Sequence, residues 1–466
     1  MARSCGTCRD RRISCDRATP TCGQCARSNR LCKGYGVRLS WPKASNSKRA
    51  VVGVPSYGRR PNRRLLGPNL VNVSDFDIKM HYYLANSTSS DYIPLTLRIP
   101  VPLRAVDYGV TEPELITYFE STASKALATL AHDSPSLGRT ILRMALTNDS
   151  ASSAAVREAL LAFASVHRHG LQSQGIEFKV SAIRALGKAS HTNIGVAEAL
   201  QHVAACMLLC AFEIHTASCT SSEWWCFVNG VKQVLNASAL LPFRNDSSFA
   251  ALLDWVFHHE TLGWFSFLHW RPEIQLQENC RSAFCTGRDY LLPTSSNKLL
   301  RLFKECCYIL GMDSDLGPLL SRLHTLAENI ANLHLPDTPH RTTLELFRLS
   351  MLIWLNRMTG ATLEPQSTTD ARVQRALHIL SDLKTCPRQL PLFIIGCEAR
   401  TDEDRCVILE LMNRTEASAS SRSMFIVKAL TEAVWKQDDL AGERELGYRE
   451  KITAIVSVCS LLPTFA

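Results

Sequence analysis

Six of the chain's 18 cysteines fall within residues 5–32, in the spacing C-x2-C-x6-C-x6-C-x2-C-x6-C. The six are Cys5, Cys8, Cys15, Cys22, Cys25 and Cys32, and they divide into two similar halves. Each half is a C-x2-C pair followed, after six intervening residues, by a third cysteine. A C-x2-C pair lets two thiolates grip one metal ion from a single turn, and tetrahedral zinc wants four soft ligands at about 2.3 Å. Six thiolates serve two zinc ions only if two of them are shared. Such a cluster carries a net charge of −2, which neighbouring arginines help to offset. The residues between the cysteines are too few and too polar to build an apolar core. Metal therefore takes the place of a core, and the segment is expected to be unfolded without it. A three-disulfide knot needs an oxidising compartment, and a redox cluster does not account for the repeated spacing. The first residues, MARSCGTCRDRR, are charged and lack the apolar stretch of a secretory signal, so the chain reads as intracellular.

Charge is spread unevenly along the 466 residues. Residues 1–64 hold 16 Lys/Arg against two acids, Asp10 and Asp16, whereas the remaining 402 residues carry a net charge of −5. A basic head on a mildly acidic body suggests that the head meets a polyanion. After Cys32 the chain is rich in Gly, Pro, Ser and basic residues with no sustained hydrophobic period, which reads as a flexible basic linker. Lys48-Arg49, followed by the basic run 59–64, would suit a bipartite nuclear-import signal. No run of three or four heptads marks a coiled coil between residues 33 and 110.

At this point the chain resembles the fungal binuclear zinc-cluster transcription factors. The resemblance covers residues 5–32 with all six cysteines, and extends to Arg9, Asp16 and Pro20. It implies a DNA-binding module of two short helices around two Zn2+, in which Cys5 and Cys22 bridge. Cys8 and Cys15 would complete one site, and Cys25 and Cys32 the other. RDRRIS, between Cys8 and Cys15, is expected to form a short helix whose first residues reach base edges in the major groove of double-stranded DNA. By resemblance, Arg11 and Arg12 occupy the positions that read a CGG-type triplet, and arginine can bind guanine bidentately. Arg9, Arg17, Arg27 and Arg30 are better placed as phosphate contacts. The chain departs from many members in having Arg12 and Ser14 where those have lysine. The segment 34–42 also resembles one that follows the cluster in a branch of the family, with Tyr35 and Trp41 packed on the module.

From about residue 75 onward helical patterns recur without β alternation. Thr111 and Glu114 resemble a capping box with proline in the first turn, and Gly170 marks a helix stop. Trp224, Phe227, Val228, Val231 and Leu235 form one stripe at helical spacing. Further helices fit 250–270, 297–310, 344–358, 371–384, 402–413 and 422–436. The longest apolar run, 203–212, is ten residues and falls short of the ~18 needed to span a membrane. This all-α body resembles the family's regulatory region, on the strength of 202–214, 252–272, 391–405 and Trp435.

The organisation expected is therefore a zinc-cluster module at 1–35, a basic linker at 36–74 and an all-helical regulatory domain at 75–466. No H-E-x-x-H, P-loop or G-x-S-x-G elbow is present, so the chain reads as a nuclear transcription regulator and not an enzyme. Cys206 and Cys210 read as buried apolar groups, and a redox pair at Cys306-Cys307 is disfavoured. His259, His269 and Trp270 fit core packing better than a ligand cavity. The transcription machinery is an expected partner. Pairing of two copies, a small-molecule effector acting on the body, and the choice between activation and repression are left open by the sequence.

Overall fold

Helix formation here follows apolar periodicity closed by local caps. The computed structural model describes residues 4–18, 21–33, 73–86, 95–97, 99, 110–127, 129–130, 134–191, 195–216, 223–237, 247–270, 295–312, 317–418, 423–442, 446–459 and 462–465. Pro20, the segment 34–42, the basic runs at 48–49 and 59–64 and nearly all of the 36–74 linker lie outside them. The chain forms two compact units, Met1–Val51 and Val52–Ala466.

The first unit holds two short helices, α1 (Gly6–Asp10) and α2 (Gly23–Arg27). The second begins with α3 (Asp75–Asn86) and continues through α4 (Glu112–Ser121), α5 (Ser134–Ala145), α6 (Ala151–His169), α7 (Ser173–Ser190), α8 (Val196–His215), α9 (Glu223–Ala237) and α10 (Ser247–His269). After these come α11 (Ser295–Met312), α12 (Leu320–Ala331), α13 (Arg341–Met358), α14 (Gln366–Asp382), α15 (Gln389–Cys397), α16 (Asp402–Ala417), α17 (Met424–Ala441) and α18 (Tyr448–Ser457). The six helices expected after residue 250 are all present, with ends within about a turn of those read from the pattern. Among the described residues, strand pairing is limited to one isolated bridge between Leu97 and Cys459.

Caps explain several boundaries. The Glu114 carboxylate accepts the Thr111 N–H at 2.9 Å, closing the capping box of α4 with Pro113 in its first turn. Ser150 caps α6 through its hydroxyl, which accepts from the Ser153 N–H. Gly170 ends α6 at φ 75°, a conformation that costs glycine nothing, and its N–H reaches the Val166 carbonyl.

Among the described residues the body buries two large apolar groups beside two smaller ones. One lies around α6, whose Val156, Leu160 and Phe163 meet Phe119 of α4 and Val203, Leu208 and Phe212 of α8. The other gathers Phe303, Phe347, Trp354, Phe393 and Phe465 from the second half of the chain. Helix α10 belongs to both. Its first half gives Phe249, Leu252 and Trp255 to the former, and its second half gives Leu262 and Phe265 to the latter. Phe265 is fully buried and lies within 6.4 Å, centroid to centroid, of Phe303, Trp354, Phe393 and Phe465. Helix α3 docks against the end of the chain, with Met80 against Ala454 and Val458 and the Gln437 amide donating to the Asp77 carbonyl at 3.0 Å.

The ten-residue apolar run at 203–212 is part of a longer element. Helix α8 has 20 residues and a mean hydropathy of 1.4 over its best window, enough by length and composition to cross a membrane, and 72% of that window is buried in the fold. The extension was hidden by Gln201 and His202, polar residues that are nonetheless buried. The Gln201 side chain donates to the Met144 carbonyl at 3.2 Å, and His202 lies 3.2 Å from the Ser152 hydroxyl. The stripe of α9 is as expected, with Trp224, Val228, Val231 and Leu235 buried and Phe227 half-buried.

His259, His269 and Trp270 are core groups. His259 Nδ1 is 3.0 Å from the Trp255 carbonyl, His269 Nδ1 is 3.1 Å from the Thr453 hydroxyl, and the Trp270 indole donates to the Cys459 carbonyl at 3.2 Å. Burial pushes the thiols of Cys206 and Cys306 up to about 12, and those of Cys210 and Cys307 well above the ordinary value. Protonated at neutral pH, they pack as small apolar groups.

Candidate metal centre and nucleic-acid interface

Each half of the N-terminal unit is built on a thiol that starts a helix. Cys22 sits at the N-cap of α2 with an extended backbone, and its sulfur accepts the Cys25 N–H at 3.4 Å. Cys5 stands in the same relation to α1 and accepts the Cys8 N–H at 3.3 Å. The first turn thus presents two sulfurs to one point, and its amides stabilise negative charge there.

Both helices end alike. The Ile13 N–H reaches back to the Cys8 carbonyl at 3.1 Å with Arg12 at φ 54°, and the Arg30 N–H reaches the Cys25 carbonyl at 3.0 Å with Asn29 at φ 47°. These are Schellman-type closures, each with one residue in the left-handed region. The chain then runs on in non-helical form to the third cysteine of the half. A 17-residue offset relates Cys5 to Cys22, Arg12 to Asn29 and Cys15 to Cys32, so the repeat in spacing is a repeat in structure.

The halves are tied together around the sulfurs. The Asp16 carboxylate accepts the Gly23 N–H at 3.0 and 2.9 Å, satisfying the first amide of α2. A Cβ at Gly23 would stand 2.3 Å from that carboxylate, so a larger residue would push the Asp16 side chain out of this arrangement. Thr7 bonds Leu31 and Lys33 together, donating to the Leu31 carbonyl at 2.8 Å and accepting the Lys33 N–H at 3.0 Å. The Lys33 ammonium pairs with Asp10 at 3.0 Å. Nothing in the sequence marked Thr7 or Gly23 for these roles, whereas Asp16 was among the positions that carry the family resemblance.

Inside this frame all six cysteines converge as free thiols. The sulfurs of Cys5, Cys8, Cys15 and Cys22 lie within 4.8 Å of one another, and so do those of Cys5, Cys22, Cys25 and Cys32. Individual separations are 3.5 Å for Cys5–Cys22, 3.6 Å for Cys8–Cys22 and 3.8 Å for Cys5–Cys25. A tetrahedron with zinc–sulfur bonds of about 2.3 Å has edges of about 3.8 Å, so these three separations match a zinc–thiolate site and the donor set fits zinc. Cys5, Cys8, Cys22 and Cys25 are fully buried, and Cys15 and Cys32 half-buried.

Burial, followed by the neighbouring thiols, pushes Cys8 well above the ordinary thiol range, and burial raises Cys22. Cys5 is held down by the Cys8 amide, yet burial and its thiol neighbours leave it raised. Cys15 is lowered to about 7 by the Cys5 amide. So many sulfurs in one place shed their protons together only around cations, which is the behaviour of a metal centre.

The arginines lie on the outside of this unit. Helix α1 covers the C-x2-C turn and ends at Asp10, so RDRRIS is not a helix of its own. Arg11 and Arg12 stand just past the C-terminus of α1 and not among its first residues. The reason is the closure at Arg12, which turns the chain outward so that Cys15 can come back to the cluster. Arg11, Arg12, Arg17, Arg27 and Arg30 are exposed. Arg11 donates to the Ser28 hydroxyl at 3.2 Å and Arg27 to the Gly23 carbonyl at 3.3 Å. The side chains of Arg12, Arg17 and Arg30 make no hydrogen bond or ion pair among the described residues. The side chain of Arg9 lies outside those residues.

Buried sulfurs in a small unit with exposed arginines, three of them without side-chain partners among the described residues, define a zinc-dependent DNA-binding module, here joined in one chain to a helical body. The chain belongs to the fungal transcription factors, matching the fungal Zn(2)-Cys(6) binuclear cluster domain over residues 3–42 and the fungal specific transcription factor domain over residues 114–334 and 308–454. It is 35% identical over 382 residues to Transcription factor iacI of Pestalotiopsis fici, an alignment spanning 79% of this chain and 99% of that one. It is also 35% identical over 63 residues to Arginine metabolism regulation protein II of Saccharomyces cerevisiae, which covers 14% of this chain and 7% of that protein. No solved structure matches. The protein is a zinc-binding, DNA-binding regulator of transcription.

Proposed function

We propose that the N-terminal unit holds two zinc ions, bridged by Cys5 and Cys22, and reads a CGG-like GC-rich triplet in the major groove. The observation that carries this reading is the sharing of those two sulfurs between the two four-sulfur groups. Cys8 and Cys15 would complete one site, and Cys25 and Cys32 the other. Zinc would supply the fixed charge that keeps all six thiols ionised and the halves joined. Arg11 and Arg12, together past the end of α1, would address guanine edges, while Arg9, Arg17, Arg27 and Arg30 hold phosphates. The working division is a module at 1–35, a linker at 36–74 and a regulatory domain at 75–466. The protein would act in the nucleus on RNA polymerase II genes, through the transcription machinery and not through catalysis. Elemental analysis of the purified chain should give two zinc per molecule, and site selection from random duplexes should enrich a GC-rich triplet. One zinc, or binding blind to sequence, would overturn the assignment.

A second reading, control of output by a small molecule, is supported by a cavity of about 100 Å3 between α12, α13 and α14. Leu352, Asn356, Glu364 and Arg372 are among its lining residues, and because Arg372 is ion-paired with Glu364 a ligand would have to compete for that pair. Metabolites that raise the melting temperature of the intact chain, and lose that effect in Arg372→Ala, would favour this reading.

A further inference from the structure

Helix α7 is apolar on two sides. Phe178, Ala182, Ala185 and Ala189 turn towards the core, where α7 packs along α6 and α8. The opposite side carries Ile176, Val180 and Ile183, which are 44, 38 and 43% exposed. Among the described residues of the body six large apolar side chains are exposed, and four of them lie between residues 171 and 183, so this is a patch and not scatter. The three residues and Gly187 are spaced 4, 3 and 4 apart, which is the rhythm of a helix–helix seam. A Cβ at Gly187 would meet nothing within 4 Å, so another helix can approach closely there.

The charges beside the seam identify what covers it. Glu177 and Arg184 lie seven residues apart along one edge, and neither makes an ion pair or hydrogen bond among the described residues. Reversed and laid on itself, this edge brings Glu177 of one copy to Arg184 of the other, twice over. The same register sets Val180 beside Ile183 and Ile176 beside the open surface at Gly187. The seam is thus complementary to its own reverse in both shape and charge.

We infer that α7 is a homotypic contact through which two copies of this chain pair antiparallel. A single helix pair buries less than the ~800 Å2 per partner of a standard interface, so the contact is weak between free molecules. It strengthens when one DNA holds both copies and raises their effective concentration to about the millimolar range.

Sedimentation velocity of the full chain without DNA, from about 1 to 100 µM, tests this. The parent protein should pass from monomer to dimer with rising concentration, and Val180→Glu should stay monomeric. Glu177→Arg and Arg184→Glu should each weaken dimerisation by about tenfold, and the two combined should restore it. All the positions are exposed, and unchanged zinc content and melting temperature report that each variant is folded. A parent that stays monomeric throughout, a Val180→Glu protein that still dimerises, or a combined swap no better than either single change overturns the proposal. Because no DNA is present, these outcomes are independent of whether the module reads a GC-rich triplet.

Discussion

Lowering the pH from 7 to 5 should destabilise the helical body through His258 and His259, and replacing His259 should remove a measurable share of that loss. His259 is 8% exposed, with its Nδ1 3.0 Å from the Trp255 carbonyl. Burial lowers it from 6.5 to about 4, against a smaller upward pull from that carbonyl. Its neighbour His258 is lowered well below 6.5, first by burial and then by His259 and Arg388. A histidine depressed in the fold is neutral there while the unfolded chain takes up a proton. Its stabilisation is therefore complete above about pH 6.5 and is lost as pH falls towards 4. With those two values, His259 alone accounts for about 2 kcal/mol between pH 7 and pH 5. His259→Asn keeps an amide nitrogen near the Nδ1 position and has no titrating ring. Urea unfolding of parent and variant at both pH values supplies the test. Any fixed cost of the substitution appears at both pH values and cancels in the comparison. The variant should lose about 2 kcal/mol less than the parent on acidification. Equal losses would mean that His259 is not held neutral by the fold, and the reasoning fails.

Cys22→Ala should abolish zinc retention and DNA binding together, because both four-sulfur groups contain that sulfur, whereas Cys386→Ala should leave both intact. Atomic absorption and gel-shift measurements read the two effects. Arg12→Ala should relax base preference, worth roughly 1–3 kcal/mol per bidentate contact. Arg27→Ala should instead weaken binding to all duplexes and flatten its salt dependence, as titrations at several salt concentrations would show. Phe265→Ala should cost the body about 3–5 kcal/mol, since it opens a hole where four aromatic rings meet. Denaturant unfolding followed by tryptophan fluorescence measures that cost, and a loss under about 1 kcal/mol would contradict the packing.

The clustering of the six cysteines was legible because ligand spacing is a direct geometric demand, whereas the special place of Cys5 and Cys22 was expected from the family resemblance and not from the spacing. The helix at the first half was misplaced for an equally concrete reason. Its stop is Arg12, a residue type that does not announce a left-handed turn, while the equivalent stop in the second half is Asn29, which does. Transferring Asn29 by the 17-residue offset would have located the end of α1. Helix ends in the body were legible from caps such as Thr111 and Gly170. The true length of α8 was not, because Gln201 and His202 are accommodated by tertiary partners that no local pattern contains. The α7 stripe reads in sequence as ordinary amphipathic helix. Only exposure in the fold separates Ile176, Val180 and Ile183 from core residues.

Helix α10 joins the two large apolar groups of the body. Its 23 residues run through both, so the packing of one group helps to position the other. A disturbance around Phe265 should accordingly be felt at Trp255, where no side chain of the second group is needed to carry it. Amide hydrogen exchange along α10 would display this as one shared opening rate, in place of two separate ones. If the exchange rates along α10 coincide, a change in either half of the body should alter the whole.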